Sequence, residues 1–151
     1  MNQPTSSREY PARPIVGVGG VTIKDGQVLL IRRAHPPLQG EWSIPGGGLD
    51  TGETIIEGVR RELFEETGIN VRVLSQIETL ERIVLDQAGK VQYHYVILDY
   101  LCEMIDGDLR AGGDVTDAAW VRELELGAYR LSESASRVVA KAFTMAREFL
   151  P

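Results

Sequence analysis

The feature that most constrains this chain is the stretch over residues 45–69, which reads PGGGLDTGETIIEGVRRELFEETGI. It opens with a proline and three glycines and continues into a segment rich in glutamate and arginine. Thr54 followed three residues later by Glu57 is typical of a capping box, and Gly68 suits the left-handed position just past a helix. The stretch therefore predicts a glycine-rich segment that leads into a helix over residues 55–67.

The predicted helix carries carboxylates beside its apolar face. The apolar residues that recur at helical spacing are Ile55, Ile56, Val59 and Leu63. At about 100° per residue, Glu66 lies in line with this stripe and Glu62 lies at its edge. Glu65 lies further round the helix. Buried carboxylates are costly or shift their pKa values unless they are compensated, and a hard divalent cation such as Mg²⁺ provides that compensation.

A second interpretation of the helix is an ordinary solvated face. Glutamate-rich helices are often exposed and stabilised by i,i+4 ion pairs, and Arg61 with Glu65 fits that description. This interpretation accounts for Glu65 and Glu57, but it does not account for Glu66 or for the glycines. We therefore favour metal binding by Glu62 and Glu66, with Glu65 as a weaker candidate. Arg61 is interpreted as a partner that orients the carboxylates.

The order of residues in this stretch resembles the signature of the Nudix hydrolases. The matching positions are Gly47, Glu53, Arg61, Glu62, Glu65, Glu66, Gly68 and the apolar Ile69. The run LLIRRAHPPLQGEWSIPGGG just before the helix extends the likeness to the branch often called ADP-ribose pyrophosphatase-like. The resemblance covers about residues 14–150. It implies an α/β/α sandwich in which a mixed sheet lies between helices.

The resemblance implies an enzyme that uses Mg²⁺ or Mn²⁺ to hydrolyse a diphosphate linkage. Its substrate would be a nucleoside diphosphate joined to another group, with ADP-ribose or a related nucleotide sugar preferred. The implied catalytic residues are Glu62, Glu65, Glu66 and Arg61. The implied metal ligands are Glu62, Glu65, Glu66 and the carbonyl of Gly46. In this family the general base is either one of these glutamates or an acid in a downstream loop.

Candidate substrate contacts lie before the helix, and candidate downstream acids lie after it. Arg32 and Arg33 end a predicted strand and therefore point to opposite faces, so at most one reaches the phosphates directly. Gly47 is a third candidate contact. In the segment GGDVTDAAW, Asp114 and Asp117 are the candidate acids, although either equally fits an ordinary acidic turn. Glu103 is a weaker candidate, and His94, within a predicted strand, is expected to be structural.

Three departures from the family pattern leave the substrate open. Asp50 stands where glutamate is common, and Gly58 stands where alanine is common. Gly58 is expected to weaken the helix by roughly 1 kcal/mol. The proline that often follows the signature in ADP-ribose-specific groups does not occur between residues 46 and 150.

Two alternative functions therefore remain. One is a pyrophosphohydrolase of (d)NTPs, including oxidised ones. The other is a catalytically silent Nudix domain that senses a nucleotide. The retention of every glutamate of the signature disfavours the silent domain.

The composition of the chain limits the kinds of binding partner and cellular location that are expected. The net charge of −6 disfavours a nucleic acid polymer, because binding to its backbone needs a basic surface, and leaves a small nucleotide as the expected ligand. The single cysteine, Cys102, excludes an internal disulfide. No stretch is apolar enough to span a membrane, and the N-terminus lacks a signal-peptide core, so we expect a cytoplasmic protein. A homodimer is expected by analogy with small family members.

The rest of the chain is predicted as a mobile tail over residues 1–13 and a single domain over residues 14–151. The predicted strands cover residues 15–23, 28–31, 42–44, 70–85, 91–102 and 118–121. Residues 105–113 are predicted as a loop, and residues 122–126 as a turn of helix. A last helix begins after Ser132 or Ser134. Its predicted buried face consists of Ala135, Val138, Val139, Ala142 and Phe149. Trp42 is interpreted as a core residue.

Overall fold

The computed structural model of the chain describes residues 8–36 and 38–150. Its strands are β1 (Ile15–Lys24), β2 (Gln27–Arg33), β3 (Trp42–Ser43), β4 (Gly46–Gly48), β5 (Ile69–Leu85), β6 (Val91–Gly107) and β7 (Val115–Arg122). Its helices are α1 (Ile55–Thr67), a 3₁₀ helix (Glu123–Tyr129) and α2 (Glu133–Phe149). Residues 1–7 of the predicted tail lie outside the described residues. Among the described residues, no helix is both long enough and apolar enough to cross a membrane.

The strands form one mixed sheet in the order β3-β2-β1-β6-β5, with β4 paired to β1 and β7 paired to β2. The pairing of β1 with β6 is parallel, and the other pairings are antiparallel. Val18 of β1 packs with Val59 and Leu63 of α1, whereas Val21 packs with Val138 of α2. Residues three apart on a strand face opposite sides. The two helices therefore cover opposite faces of the sheet, which confirms the predicted α/β/α sandwich.

Helix α1 has the predicted bounds because its capping signals are local. The Glu57 N–H donates to the Thr54 hydroxyl, and the Thr54 N–H donates to the Glu57 carboxylate, which completes the capping box. Gly68 ends the helix with a φ of 75°. Gly58 is buried, and a Cβ there would lie 2.7 Å from Cδ1 of Leu49. The glycine therefore admits the close packing of Leu49 against the helix, a role that helix propensity does not reveal.

Several sequence predictions are wrong at the edges of elements. Ile56 and Phe149 are 54% and 51% exposed, because they lie in the first turn of α1 and the last turn of α2, away from the covering sheet. Residues 105–107 are strand and not loop, since β6 continues its pairing with β5 as far as Gly107. Strand β7 also begins earlier than predicted, because it pairs along most of β2.

Two contacts outside the sheet bear on the predictions. Trp42 packs against the core on the α2 side and makes an edge-to-face contact with Tyr129, at 4.9 Å between ring centroids. The prediction that Trp42 belongs to the core is therefore confirmed. The Tyr10 N–H donates to the Gln92 carbonyl at 2.7 Å, so residue 10 of the predicted tail contacts the start of β6.

Candidate active site

The site is built where the glycine strand β4 lies between β1 and α1. One edge of β4 pairs with β1. The Gly46 N–H donates to Oε1 of Glu66 at 2.7 Å, and the Gly48 carbonyl accepts from Nη2 of Arg61 at 3.0 Å. Two backbone groups of the strand are thus fixed to side chains of α1. This arrangement holds the catalytic candidates of the helix against the strand.

Glycine is required in β4 because its neighbours occupy the space of a side chain. A Cβ on Gly47 would lie 2.5 Å from the carboxyl carbon of Glu62. A Cβ on Gly46 would overlap the carbonyl oxygen of Val18 in β1. The absence of side chains therefore lets the Glu62 carboxylate lie directly over the backbone of the strand.

Glu66 is the most buried carboxylate of α1, only 6% exposed, as its alignment with the apolar stripe predicted. Burial raises its pKa to about 8, because a charged carboxylate loses hydration there. The Gly46 N–H and the charge of Arg33 oppose this rise, whereas the negative charges of Glu62 and Asp114 add to it. At neutral pH this group either retains a proton or requires a cation beside it.

Glu62 is held in place by Arg61. Burial raises the pKa of Glu62, and the hydrogen bond from Arg61 opposes the rise. The guanidinium donates to Oε1 of Glu62 at 2.8 Å and to both carboxylate oxygens of Glu53 at 2.6 and 2.8 Å. The bond from Arg61 lowers the pKa of Glu53 to about 2, and the same pairing raises the pKa of Arg61. Arg61 therefore has the geometry of an orienting partner, as the sequence predicted.

Glu65 stands apart from the other two glutamates. Its side chain is 53% exposed, and it lies 3.4 Å from Nη1 of Arg61 as an i,i+4 pair. Within residues 8–36 and 38–150, no group of three or more His, Cys, Asp or Glu side chains is arranged to hold a metal ion. The structure thus brings Glu62 and Glu66 to one cavity, whereas Glu65 lies outside the cavity lining but close enough for its charge to act on Glu62. The metal-ligand roles of all three remain predictions.

A cavity of about 430 Å³ opens at Glu62 and Glu66. Its lining residues are Arg8, Arg33, His35, Pro36, Gly46, Gly47, Glu62, Glu66, Tyr95 and Asp114. Arg33 thus enters the site, whereas Nε of Arg32 donates to the Gly40 carbonyl at 2.9 Å. This division agrees with the expectation that at most one of the two arginines reaches the substrate.

The candidate downstream acids differ in their position relative to the cavity. Asp114 lines the cavity. Asp117 accepts a hydrogen bond from the Ala118 N–H at 2.8 Å and is not part of the lining. Glu103 lies outside the cavity and pairs with Arg72 at 3.4 Å. Only Asp114 is therefore positioned to act on a group held at Glu62 and Glu66.

Four lining residues of the cavity escaped the sequence analysis, and these are Arg8, His35, Pro36 and Tyr95. Arg8 belongs to the predicted tail, and no local pattern marks it. His35 lies in the loop after β2, with Nε2 3.8 Å from Oδ1 of Asp114. Tyr95 is 8% exposed and lies on β6. It stands between His94 and Val96, and this local sequence gives no signal that separates a cavity wall from a core position.

The donor set at this site suits a hard divalent cation. Glu62 and Glu66 offer carboxylate oxygens, both with raised pKa values, in a cavity that Arg33 also enters. Oxygen ligands of this kind are those that Mg²⁺ and Mn²⁺ prefer. A cation would remove the cost of burying the two negative charges together. The residues therefore fit the ion that the resemblance implies.

Comparison with known proteins identifies the family of this chain and agrees with its fold. The NUDIX domain family matches residues 12–142, and the chain belongs to the Nudix hydrolase family. It is 36% identical over 105 residues to an ADP-ribose pyrophosphatase of Methanocaldococcus jannaschii, covering 70% of this chain and 60% of the relative. It is 32% identical over 124 residues to the nucleoside triphosphatase NudI of Salmonella agona, covering 77% and 87% of the two chains.

A solved structure extends the comparison. The chain resembles a MutT NUDIX hydrolase from Burkholderia pseudomallei with a TM-score of 0.74 and 28% identity. The match covers 85% of this chain and 98% of that one. The fold of this chain thus occurs in a protein of the same family.

Proposed function

We propose that this chain is a Mg²⁺- or Mn²⁺-dependent hydrolase of the diphosphate linkage in a nucleotide joined to another group. The observation that carries the proposal is a pair of carboxylates, the buried Glu66 and the partly buried Glu62, which face one cavity together with Arg33. Burial raises the pKa of both carboxylates because their negative charges are poorly hydrated there, and a bound cation would offset that cost. A cation and a diphosphate satisfy these charges together.

Each residue of the site has a distinct proposed role. Glu62, Glu65, Glu66 and the Gly46 carbonyl would hold the ion, which would neutralise the diphosphate and lower the pKa of an attacking water. Arg61 positions Glu62 through the contacts described above. Arg33 donates hydrogen bonds to phosphate oxygens, which are well matched to a guanidinium. The open backbone at Gly47 lets the phosphates approach the strand closely.

The proton acceptor is proposed among the acids that line the cavity. Asp114 is favoured over Asp117 because only Asp114 faces Glu62 and Glu66. Its exposed position keeps it in contact with solvent, where a proton can leave. Glu66 is the other candidate, because its carboxylate also lines this cavity.

The preferred substrate is ADP-ribose or a related nucleotide sugar, because one relative is named an ADP-ribose pyrophosphatase. Cleavage of a nucleoside triphosphate to a monophosphate and pyrophosphate is the second candidate, supported by the relative named a nucleoside triphosphatase. A panel of both substrate types with product identification separates the two. AMP with ribose 5-phosphate supports the first candidate, and pyrophosphate supports the second. Tight nucleotide binding without any product would instead indicate a silent sensor.

We also propose that the protein is a cytoplasmic homodimer. Its edge strand β5 exposes Ile83 and Leu85, which are 54% and 57% exposed, and such a surface suits association between copies. Cys102 is free and buried, which is compatible with a reducing compartment. Sedimentation at micromolar concentration tests the assembly, and a monomer there would overturn it without affecting the proposed chemistry.

A further inference from the structure

A second pocket continues from the active-site cavity onto the α2 side of the sheet. The two share five lining residues, which are Arg8, Arg33, Gly46, Gly47 and Tyr95. The second pocket holds about 80 Å³. Its apolar walls are Ile44, Leu80, Ile97 and Ala135, and its polar lining includes Ser43, Arg82, Asp99 and Ser134. A substrate whose phosphates lie between Glu62 and Arg33 has this pocket as a neighbouring space for its remaining parts.

One carboxylate, that of Asp99, lies within this pocket. Tyr95, Ile97 and Asp99 occupy alternate positions of β6 and therefore share the face that lines the pocket. Asp99 is only 3% exposed. A Cβ at Gly19 of the neighbouring strand would overlap its Oδ1. The glycine at position 19 thus provides the space that the carboxylate occupies.

The Asp99 carboxylate lacks a donor of its own. Across residues 8–36 and 38–150, it accepts no hydrogen bond and forms no ion pair, and only the more distant charges of Glu78 and Arg82 act on it. Glu78 lies directly opposite on β5, but its carboxylate pairs with Arg137 of α2 at 3.2 Å. Buried carboxylates are normally hydrogen-bonded, because an unpaired one is costly. The missing donors are those that a ligand in the pocket would supply.

The shape and chemistry of the pocket indicate which ligand group could donate a hydrogen bond to Asp99. The apolar walls and the ring of Tyr95 offer a surface for a flat aromatic base, and Asp99 offers that base a hydrogen-bond acceptor. An exocyclic amino group can donate one of its N–H groups to a carboxylate oxygen. A keto oxygen at the same place would instead face the lone pairs of the carboxylate and be repelled.

We propose that Asp99 determines base specificity by accepting a hydrogen bond from the exocyclic amino group of the substrate's nucleobase. The inference rests on the proposed function, since it needs the phosphates at Glu62 and Arg33. Bases such as adenine and cytosine are favoured, and their keto counterparts hypoxanthine and uracil are disfavoured. Asp99 touches the base and not the reacting atoms, so its effect falls on the choice between substrates.

Matched substrate pairs that differ at one group test this inference. The pairs are ADP-ribose with its hypoxanthine analogue and CTP with UTP. Wild-type kcat/KM should favour the amino member of the hydrolysed pair by roughly 10-fold to 100-fold, the value of a hydrogen bond to a charged group. In Asp99→Asn the side-chain amide can donate to a keto oxygen, so the ratio should fall to about one or below.

The control variant is Glu78→Gln. It removes a charge directly opposite Asp99 on the same face, but its side chain is already paired with Arg137. The amino-to-keto ratio should therefore stay at its wild-type value. A loss of the ratio in both variants would indicate a general disturbance of this face of the sheet and would contradict a specific role for Asp99.

The remaining outcomes decide between the inference and the proposed function. Equal wild-type kcat/KM values for both members of each hydrolysed pair, or an unchanged ratio in Asp99→Asn, would overturn the inference and leave the proposed hydrolysis intact. If Asp99→Asn does not fold, the wild-type ratio alone decides. If no nucleotide is hydrolysed, the proposed function fails. Calorimetric binding of the same pairs then tests the base preference separately.

Discussion

The replacement Glu66→Gln tests whether the buried carboxylate of Glu66 destabilises the metal-free protein and binds the proposed metal ion. It preserves the volume of the side chain and an acceptor for the Gly46 N–H, and it removes the negative charge. The pKa of Glu66 is raised from 4.5 to about 8 on folding. Folding thus favours the protonated form, so this group's contribution to stability is complete below pH 4.5 and is lost as pH rises through about 8.

The size of this effect follows from the two pKa values. A difference of about 3.5 between them corresponds to roughly 5 kcal/mol in the free energy of unfolding, at about 1.4 kcal/mol for each pKa unit. Local relaxation and entering water reduce this figure, so we expect roughly 2 to 5 kcal/mol. Without metal, Glu66→Gln should therefore be more stable than wild type at alkaline pH.

The assay is denaturant unfolding of both proteins in EDTA at about pH 5 and about pH 9. Wild type should lose more stability between the two pH values than the variant does, by the amount given above. Other buried acids, such as Asp99 with a pKa raised to about 6, titrate in both proteins and cancel in the comparison. Because the variant also loses a proposed metal ligand, its kcat should fall by orders of magnitude.

Glu57→Gln is the matched control on the same helix. Glu57 is exposed and acts through the capping box with Thr54, so its replacement should cost about 0.5 to 2 kcal/mol at most and leave kcat nearly intact. Equal damage to kcat in the two variants, with thermal stability unchanged in both, would refute our assignment of the metal-binding face. An identical dependence of stability on pH in wild type and Glu66→Gln would refute the electrostatic argument.

Two further replacements test the shape of the site. Arg61→Ala leaves the carboxylates of Glu53 and Glu62 without their partner, so we expect urea unfolding to show a loss of roughly 3 kcal/mol or more, and an unchanged midpoint would contradict this. Gly47→Ala places a methyl group against the Glu62 carboxylate, so activity should fall sharply while circular dichroism stays native. Gly127→Ala, where a Cβ meets nothing within 4 Å, is its control and should keep full activity.

The parts of the fold that are determined locally were predictable from the sequence. The capping box at Thr54 and the glycine at position 68 gave the bounds of α1, because both signals depend only on nearby residues. The hairpin between β1 and β2 was predictable for the same reason, since Asp25 and Gly26 adopt the positive φ values that such a turn needs. The alignment of Glu66 with the apolar stripe likewise predicted its burial.

The parts that depend on distant pairing were not predictable. The length of β6 is set by its pairing with β5, and not by the composition of residues 103–107. The second pocket depends on the register of β1 with β6, which places Gly19 beside Asp99. An aspartate in the middle of the apolar run VQYHYVILDYLC was a local signal that could have directed attention to it. The contribution of Arg8 to the cavity has no local signal.

The metal dependence of turnover tests the central claim most directly. Protein freed of metal with EDTA should hydrolyse no nucleotide of the panel, because Glu62 and Glu66 alone cannot receive a negatively charged diphosphate. Addition of Mg²⁺ or Mn²⁺ should restore turnover in wild type and fail to restore it in Glu66→Gln. Full turnover by the metal-free protein would contradict the account of these carboxylates as the ligands of a catalytic cation.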